Sequence, residues 1–422
     1  MGRATMKFKM TPMEKKWVLY DVGNSAFTML VSTIFPIYFN YLAGNAGISD
    51  VDYLAYWGYA ASVSTLCVAL LGPTLGAIAD TKNFKKRIFK WTLAVGVLGC
   101  VILGFLSSWI WFLGIFVLAK VGYSSSLVFY DAMLTDVTEP ERMDTVSSQG
   151  FAWGYIGSCI PFIASLGIVL GGGSLGLSMQ ASMTIAFLIT AVWWLVSAVP
   201  LLLSFQQKHY VEVSGHVVRE SFARLGRTFL DIKKEKHIFV FLLAFFFYID
   251  GVYTIIDMAT AYGQALGLDS TGLLLALLLT QVVAFPSVLI LNQVAKRVKP
   301  TQILTVCIFA YLGISVYAYF LDTQTDFWIL AVLVGMFQGS VQALSRSYFG
   351  KIIPAEKAGE YFGIYDICGK GAAILGTTLV SVMSQITGKM NVGVSAISVL
   401  FVIGLLLFRK AVKMNEEREK CE

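Results

Sequence analysis

The sequence has few charged residues for its length. Asp, Glu, Lys and Arg make up 14% of its 422 residues, whereas a soluble domain carries about 25%. A soluble chain of this length would form about three domains, and these charges are too few to cover their surfaces. The shortage of charge therefore excludes an ordinary soluble enzyme, a disordered protein and a nucleic-acid-binding protein.

Motifs for nucleotide and metal binding are also missing. The sequence contains no GxxxxGKS or GxxxxGKT phosphate-binding loop and no HExxH zinc motif. Its three His residues are too sparse for a zinc cluster. Its six Cys residues form no CxxC pair that would predict a metal site or a disulfide framework. We therefore expect no cofactor, no bound metal and no enzymatic activity.

Long apolar segments run through the chain instead. Hydrophobic residues make up 57% of the sequence, and a helix needs about 20 apolar residues to cross a bilayer core of about 30 Å. This criterion predicts twelve transmembrane helices, with eleven or thirteen as alternatives because Gly, Pro and acidic residues interrupt several segments. The predicted segments lie near 17–42, 54–79, 87–107, 110–133, 146–170, 179–204, 238–263, 271–294, 301–321, 327–349, 359–386 and 391–409.

The distribution of basic residues predicts the orientation in the membrane. Of the 32 Lys and Arg residues, 29 lie on the side of the N-terminus, and only Lys389 lies on the opposite side. Because cytoplasmic loops are enriched in Lys and Arg, we expect both termini to face the cytoplasm. The first segment contains Asp21 and Asn24 and no small-residue cleavage site follows it, so we expect a transmembrane helix rather than a cleaved signal peptide.

A polar and basic stretch divides the predicted helices into six and six. Residues YDVGN at 20–24 resemble YIDGV at 248–252, and duplicated six-helix halves are a known transporter plan. Chance similarity between apolar helices is the alternative. The predicted fold class is therefore an all-α integral membrane protein with two pseudo-symmetric six-helix bundles. Its expected divisions are an N-terminal bundle (1–204), a cytoplasmic central loop (205–237), a C-terminal bundle (238–410) and a cytoplasmic tail (411–422).

The loop between the second and third helices reads GAIADTKNFKKR and runs from Gly76 to Arg87. It is similar to the signature loop of the major facilitator superfamily, G-x-L-A-D followed by a turn and basic residues, although the turn residues differ. Gly76 permits close helix packing, and the Asp80 carboxylate can meet a helix N-terminus or a base. The resemblance implies that Gly76, Asp80, Lys86 and Arg87 form a conformational gate on the cytoplasmic face.

Five longer blocks resemble the vacuole-effluxer branch of this superfamily, which is related to a vacuolar amino-acid exporter. The resemblance implies a monomeric transporter of amino acids or similar small solutes, with efflux as the expected direction. The blocks lie at 17–27, 147–157, 248–263, 341–354 and 361–376.

Polar residues inside the predicted helices indicate where the solute binds. An ionised side chain in the bilayer costs several kcal/mol unless it faces protein or water. Asp21 and Asn24 begin a polar stripe on the first helix, and we expect a matching stripe on the seventh helix to face it across a central cavity. Asp21 lies close to the cytoplasmic end, so capping or gating is its alternative role. Asp250 is the principal candidate for substrate or proton binding. The stripe of the seventh helix comprises Asp250, Tyr253, Thr254 and Asp257.

Two further helices contain Lys residues that need a partner. Lys120 lies deep in the fourth helix, where it either pairs with an acid on a neighbouring helix, such as Asp250, or contacts the substrate directly. Asp366 and Lys370 of the eleventh helix have the i, i+4 spacing of a local ion pair. This pair is either structural or part of the gate.

The tenth helix carries polar side chains at intervals of four residues. We assign Gln338 and Gln342 to the substrate cavity. Arg346 lies closer to the cytoplasmic end, so we expect it to close the gate through an ion pair with Asp131 or Glu360.

These features predict a secondary active transporter that works by alternating access. A zwitterionic solute needs an acceptor for its ammonium and a donor for its carboxylate, which an Asp and a Lys supply. Proton coupling through the same Asp is a hypothesis. The alternatives are a transport-inactive sensor or scaffold and, less favoured, an intramembrane enzyme. The expected partners are lipid, a small solute and protons, in the cell membrane or else in a vacuolar-type organelle membrane.

Overall fold

The structure is a computed structural model that describes residues 9–48, 50–212, 217–265 and 267–421. Within these residues the regular structure is helical, with one isolated β-bridge between Thr81 and Val211. The α-helices are α1 (Pro12–Ser32), α2 (Ile34–Asn45), α3 (Asp50–Ala79), α4 (Lys85–Leu103), α5 (Trp109–Ala132), α6 (Leu134–Val137), α7 (Met143–Gly171), α8 (Met179–Ser204), α9 (Val217–Lys234), α10 (Lys236–Ala265), α11 (Ser270–Val294), α12 (Pro300–Tyr317), α13 (Gln324–Ile352), α14 (Ala358–Thr387), α15 (Met390–Ala396) and α16 (Ser398–Cys421).

Each predicted transmembrane segment corresponds to one long helix or a pair of helices. The first segment is broken at Thr33 into α1 and α2, and the twelfth comprises α15 and α16, which continues as helix through the predicted tail. In the described part of the chain, ten helical segments are long and apolar enough to cross a membrane. They do not include α4, which begins with Lys85, Lys86 and Arg87, or α14. The number of twelve membrane spans therefore stays a prediction.

Capping residues explain why two helices begin outside the predicted apolar segments. The Thr11 hydroxyl accepts a hydrogen bond from the Glu14 backbone N–H, and the Glu14 carboxylate accepts one from the Thr11 N–H. Thr323 and Asp326 form the same capping box before α13. Such boxes satisfy N–H groups that have no partner within the helix. Polar residues rather than apolar ones thus fix these helix starts.

Each half of the molecule buries its own hydrophobic core. One core lies chiefly among α1 to α8, and the other lies chiefly among α9 to α16. In both halves the first long helix is joined to the fourth predicted membrane helix of that half by a Tyr–Ser hydrogen bond, α1 to α5 in the N-terminal half and α10 to α13 in the C-terminal half. The Tyr20 and Ser126 hydroxyl oxygens are 2.8 Å apart, and those of Tyr248 and Ser345 are 2.6 Å apart. This equivalence supports the predicted similarity between the YDVGN and YIDGV blocks.

Both described ends of the chain lie at the same end of the molecule, which we call the base. Near the N-terminus, the Lys9 carbonyl accepts a hydrogen bond from Arg142, and near the C-terminus, Glu416 pairs with Lys299. The two halves meet where α3 packs against α14 and where α7 packs against α11 and α13. These helix pairs position the functional side chains. That the base faces the cytoplasm remains a prediction.

Candidate functional site

A cavity of about 500 Å³ lies between the two halves. Its walls come from α1, α3, α5 and α7 on one side and from α10, α11, α13 and α14 on the other. A cavity of this size suits a small solute. The predicted site residues that line it are Asp21, Asn24, Lys120, Asp131, Tyr253, Asp257, Gln338, Gln342, Arg346 and Asp366.

Lys120 and Asp257 bring opposite charges into the cavity from different halves. Lys120 belongs to α5 and Asp257 to α10, and both side chains line the cavity. The sequence predicts an acid such as Asp250 as the partner of Lys120, whereas the structure brings Asp257 to the same cavity. The cavity thus holds an acidic and a basic side chain from different halves.

Asp250 and Thr254 face α14 rather than the cavity, which corrects their expected position. Asp250 is fully buried, and its Oδ1 accepts hydrogen bonds from the Gly376 N–H at 3.0 Å and the Thr254 hydroxyl at 3.2 Å. Because Gly376 has no side chain, α14 approaches α10 closely here; a Cβ at Gly376 would lie 2.1 Å from Thr254 Oγ1. Helical periodicity places Asp250 and Asp257 on one face but does not reveal the neighbour that covers Asp250.

Arg346 of α13 closes the floor of the cavity. Its Nη1 donates to Asp131 at 2.9 Å, its Nε donates to Ser147 Oγ at 2.9 Å, and its Nη2 lies 3.4 Å from an Asp21 oxygen. Arg346 belongs to one half and these three partners belong to the other. The predicted ion pair with Asp131 is therefore present. Glu360, the alternative partner, takes part in the contact between α3 and α14.

Three aromatic rings surround the Arg346 guanidinium. Its central carbon lies 4.6 Å from the ring centre of Trp17, 5.5 Å from that of Tyr130 and 4.3 Å from that of Phe151. Cation–π attraction is strongest where the cation is removed from water, and Arg346 is only 3% exposed. The rings therefore help to hold a buried charge between the halves. Sequence analysis missed them because aromatic residues are common in membrane helices.

Asp144 of α7 forms a second polar link between the halves, which sequence analysis also missed. Its carboxylate accepts hydrogen bonds from the Ser347 hydroxyl at 2.7 Å and from the Lys351 ammonium. Ser347 directly follows Arg346 on α13, and Lys351 lies four residues after Ser347. The i, i+4 spacing of Ser347 and Lys351 near the end of this apolar helix is the sequence feature that could have predicted the contact.

Helices α3 and α14 meet backbone to backbone near the base. A Cβ at Gly76 would lie 2.2 Å from the Gly359 carbonyl oxygen, so this contact requires glycine. One turn further on, the two Asp80 carboxylate oxygens accept the backbone N–H groups of Gly359 at 2.7 Å and Glu360 at 2.9 Å. A carboxylate is favourable at a helix N-terminus. Asp80 therefore makes one of the two contacts predicted for it.

The loop that follows α3 leads into three consecutive basic residues, and Lys85, rather than Lys86 or Arg87, is the one that is buried. Its ammonium donates to Asp136 at 2.8 Å, and both side chains are fully buried. Lys86 instead reaches the Leu203 carbonyl at 3.4 Å, and Arg87 lies over a neighbouring aromatic ring. Because α4 begins at Lys85, successive side chains point in different directions around the helix. The structure thus corrects which basic residue of this loop is enclosed: it is Lys85, next to the predicted gate residue Asp80.

The remaining predicted residues lie around the same cavity. The Gln342 amide donates to the Tyr155 hydroxyl of the other half at 3.1 Å. Gln338 is nearly buried at the cavity wall, and Asp366 also contributes to the lining. The Lys370 side chain lies outside the described part of the chain, so the Asp366–Lys370 pair stays a prediction.

We expect closure of the base to depend on pH through Asp80. Burial raises the pKa of Asp80 to about 7, against the opposing effects of Lys85 and the two N–H groups. If an open base restores the ordinary pKa, the contribution to closure is complete below about pH 4 and is lost as the pH rises through about 7. The distance between spin labels at Glu141 and Arg297, exposed base positions on different halves, should therefore lengthen as the pH rises.

Asp80→Asn is the control for this pH dependence. The variant keeps the size of the side chain and removes the titrating group. It should give a distance distribution that changes little with pH. An equally steep pH response in Asp80→Asn would assign the dependence to another group.

The two helical halves around a central cavity form the fold of major facilitator transporters. The chain is similar to a bacterial homologue of the iron transporter ferroportin in the outward-facing state, with a TM-score of 0.72 and 14% identity over 95% of this chain and 99% of that one. It is also similar to the major facilitator superfamily transporter FucP in the outward conformation, with a TM-score of 0.69 and 14% identity over 95% and 97% of the two chains. Identities this low show a shared fold alone.

The chain belongs to the vacuole effluxer Atg22-like family, whose model matches residues 13–422. The MFS-type transporter YxiO of Bacillus subtilis is 44% identical over 407 residues, which are 95% of each chain. Autophagy-related protein 22 of Saccharomyces cerevisiae is 24% identical over 394 residues, which are 80% of this chain and 74% of the yeast protein. The predicted family resemblance is confirmed.

Proposed function

We propose that the protein is a secondary active transporter that moves a small, amino acid-like solute by alternating access. The observation that carries this proposal is that Lys120 and Asp257 enter one cavity from different halves. The ammonium of a zwitterionic solute would pair with Asp257, and its carboxylate would pair with Lys120. A solute bound in this way would contact both halves and could therefore influence their relative position.

The polar contacts at the base support a rocking motion of the halves. Arg346, Asp144 and Asp80 connect the halves near the base, below the cavity. Opening the base would break these contacts without disturbing either hydrophobic core. Movement of two intact bundles around a central site is the expected mechanism of such a transporter.

Efflux across the cell membrane is the proposed direction and location. The matching family is described as a vacuole effluxer family, and a bacterial relative supports the cell membrane over an organelle. If the base faces the cytoplasm, the solute would enter through the open base. It would leave at the opposite end once the base had closed as it is here.

Asp257 is the better candidate for a proton-coupling residue. It lines the same cavity as Lys120, so its protonation would alter the charge that the solute meets. Asp250 is the second candidate, because it is fully buried and its Oδ2 has no hydrogen-bond partner in the described part of the chain. The two residues can be separated by substitution.

Amino-acid uptake into proteoliposomes tests the proposed function. We expect Asp257→Asn to reduce uptake about tenfold or more, because the solute ammonium loses a charged hydrogen-bond partner, and to abolish the response to a pH gradient. Asp322→Asn, at an exposed position, is the matched control. If only Asp250→Asn loses the response to a pH gradient, Asp250 rather than Asp257 is the proton-coupling residue. A wild-type protein that moves no amino acid would contradict the proposed substrate class.

A further inference from the structure

The chain between the two halves follows a defined path across the base. Residues 205–212 run beside the loop after α3, and α9 then packs against α3, α10 and α14. Sequence analysis found only a polar and basic composition in this stretch. Its contacts indicate a role in the conformational cycle.

Asp136 anchors the first part of this connection to the N-terminal half. Its Oδ1 accepts hydrogen bonds from the backbone N–H groups of Lys208 at 3.0 Å and His209 at 2.8 Å. A hydrogen bond to Asp136 also raises the pKa of His209, which favours the imidazolium that pairs with the carboxylate. The Val211 N–H donates to the Asp80 carbonyl at 2.8 Å. The connection is thus fixed to the helix end that carries the gate residue Asp80.

Helix α9 then contacts both halves through one face. The Ser221 hydroxyl donates to the Ala77 carbonyl of α3 at 3.3 Å, and the Thr228 hydroxyl donates to the Glu360 carboxylate of α14. Ser221 and Thr228 are almost completely buried and lie two helical turns apart. Ile232 follows on α9 and is buried in the core of the C-terminal half.

Glu360 connects α9 to the contact between α3 and α14. Its backbone N–H donates to Asp80, and its carboxylate accepts the hydrogen bond from Thr228. The residue is fully buried, so loss of a donor to its carboxylate carries a desolvation cost. Separation of α14 from α3 would remove Glu360 from Asp80 and would also require α9 to release one of the two helices.

We propose that α9 is a clamp that stabilises the closed base in addition to the gate residues. The inference rests on the proposed alternating-access function. Because α9 is hydrogen-bonded to both halves at the seam, the base opens only when the clamp is released on one side. The central connection is therefore a regulatory element of the transport cycle.

Thr228→Val tests the clamp, because Val keeps the shape of Thr and removes the hydroxyl. We expect the equilibrium constant for base opening to rise about tenfold, the effect of losing one hydrogen bond to a charged group. Double electron–electron resonance between spin labels at Glu141 and Arg297, in full-length protein without native cysteines, measures the open population. Thr228→Ser keeps the hydroxyl and should match the wild type.

Thr305→Val is the matched control, since the Thr305 hydroxyl bonds to the Thr301 carbonyl within α12. It should leave the distance distribution unchanged. If the wild type opens and neither Thr228→Val nor Ser221→Ala opens further, the clamp is refuted while alternating access stands. If neither protein shows an open base at any pH or solute concentration, both proposals fail. Should Thr228→Val not fold, Ser221→Ala removes the bond to α3 and must increase opening for the clamp to stand.

Discussion

Replacing Arg346 by Ala should open the base and lower the thermal stability of the protein. The substitution leaves Asp21 and Asp131 without the guanidinium that pairs with them, and removing one partner of a buried ion pair costs about 3–5 kcal/mol. The rings of Trp17 and Phe151 would also lose the group that lies against them. We expect the open state to dominate the spin-label distances and the Tm to fall by several degrees.

Two further variants make the Arg346 result specific. Arg346→Lys keeps the charge but lacks the planar fork that reaches several acceptors at once, so its opening should be intermediate. Arg409→Ala removes an exposed arginine at the base of the molecule and should behave as the wild type. A closed base and an unchanged Tm in Arg346→Ala would show that this cluster is not the principal link between the halves.

Gly76→Ala should prevent closure of the base without unfolding either half. The added Cβ would lie 2.2 Å from the Gly359 carbonyl oxygen and 2.7 Å from its carbonyl carbon. These are backbone atoms of a helix, which cannot rotate away as a side chain can. Overpacking costs about 1–3 kcal/mol, so we expect the equilibrium constant for closure to fall about five- to 150-fold and transport to be lost.

Gly114→Ala is the control for Gly76→Ala. A Cβ at Gly114 of α5 would meet no atom within 4 Å, and Ala favours a helix over Gly by about 1 kcal/mol. This variant should keep or raise stability and transport normally. Circular dichroism should show full helix content in both proteins. A normal closed population in Gly76→Ala would contradict the close contact between α3 and α14.

The long helices are predictable from the sequence because a bilayer demands extended apolar segments. The length of an apolar segment does not predict the residue at which a helix begins or breaks, because polar capping residues decide this. The capping box of Thr11 and Glu14 starts α1 before its apolar segment, and the break at Thr33 divides that segment in two. The path of α9 is unpredictable for a related reason, since its position depends on partners in both halves.

The contacts of the residues predicted to form a gate are easier to predict than the lining of the cavity. Asp80, Asp131 and Arg346 stand out because charges near membrane helices need partners, and the structure supplies those partners. Asp250 stands out for the same reason, but Gly376, far along the chain, decides that it faces α14. Periodicity gives the face of a helix and not the identity of its neighbour.

The separate cores have a consequence for how such proteins diverge. Each half keeps most of its apolar interior to itself. The side chains that join the halves lie in a layer that contains the ion pairs of Arg346 and Asp144 together with apolar contacts such as that of Trp153 with Phe285. Mutations in the interiors and mutations in that layer can therefore accumulate independently during evolution. Substitution of a few residues in this layer would change the equilibrium between the closed and open states, while the sequences of the two cores change separately.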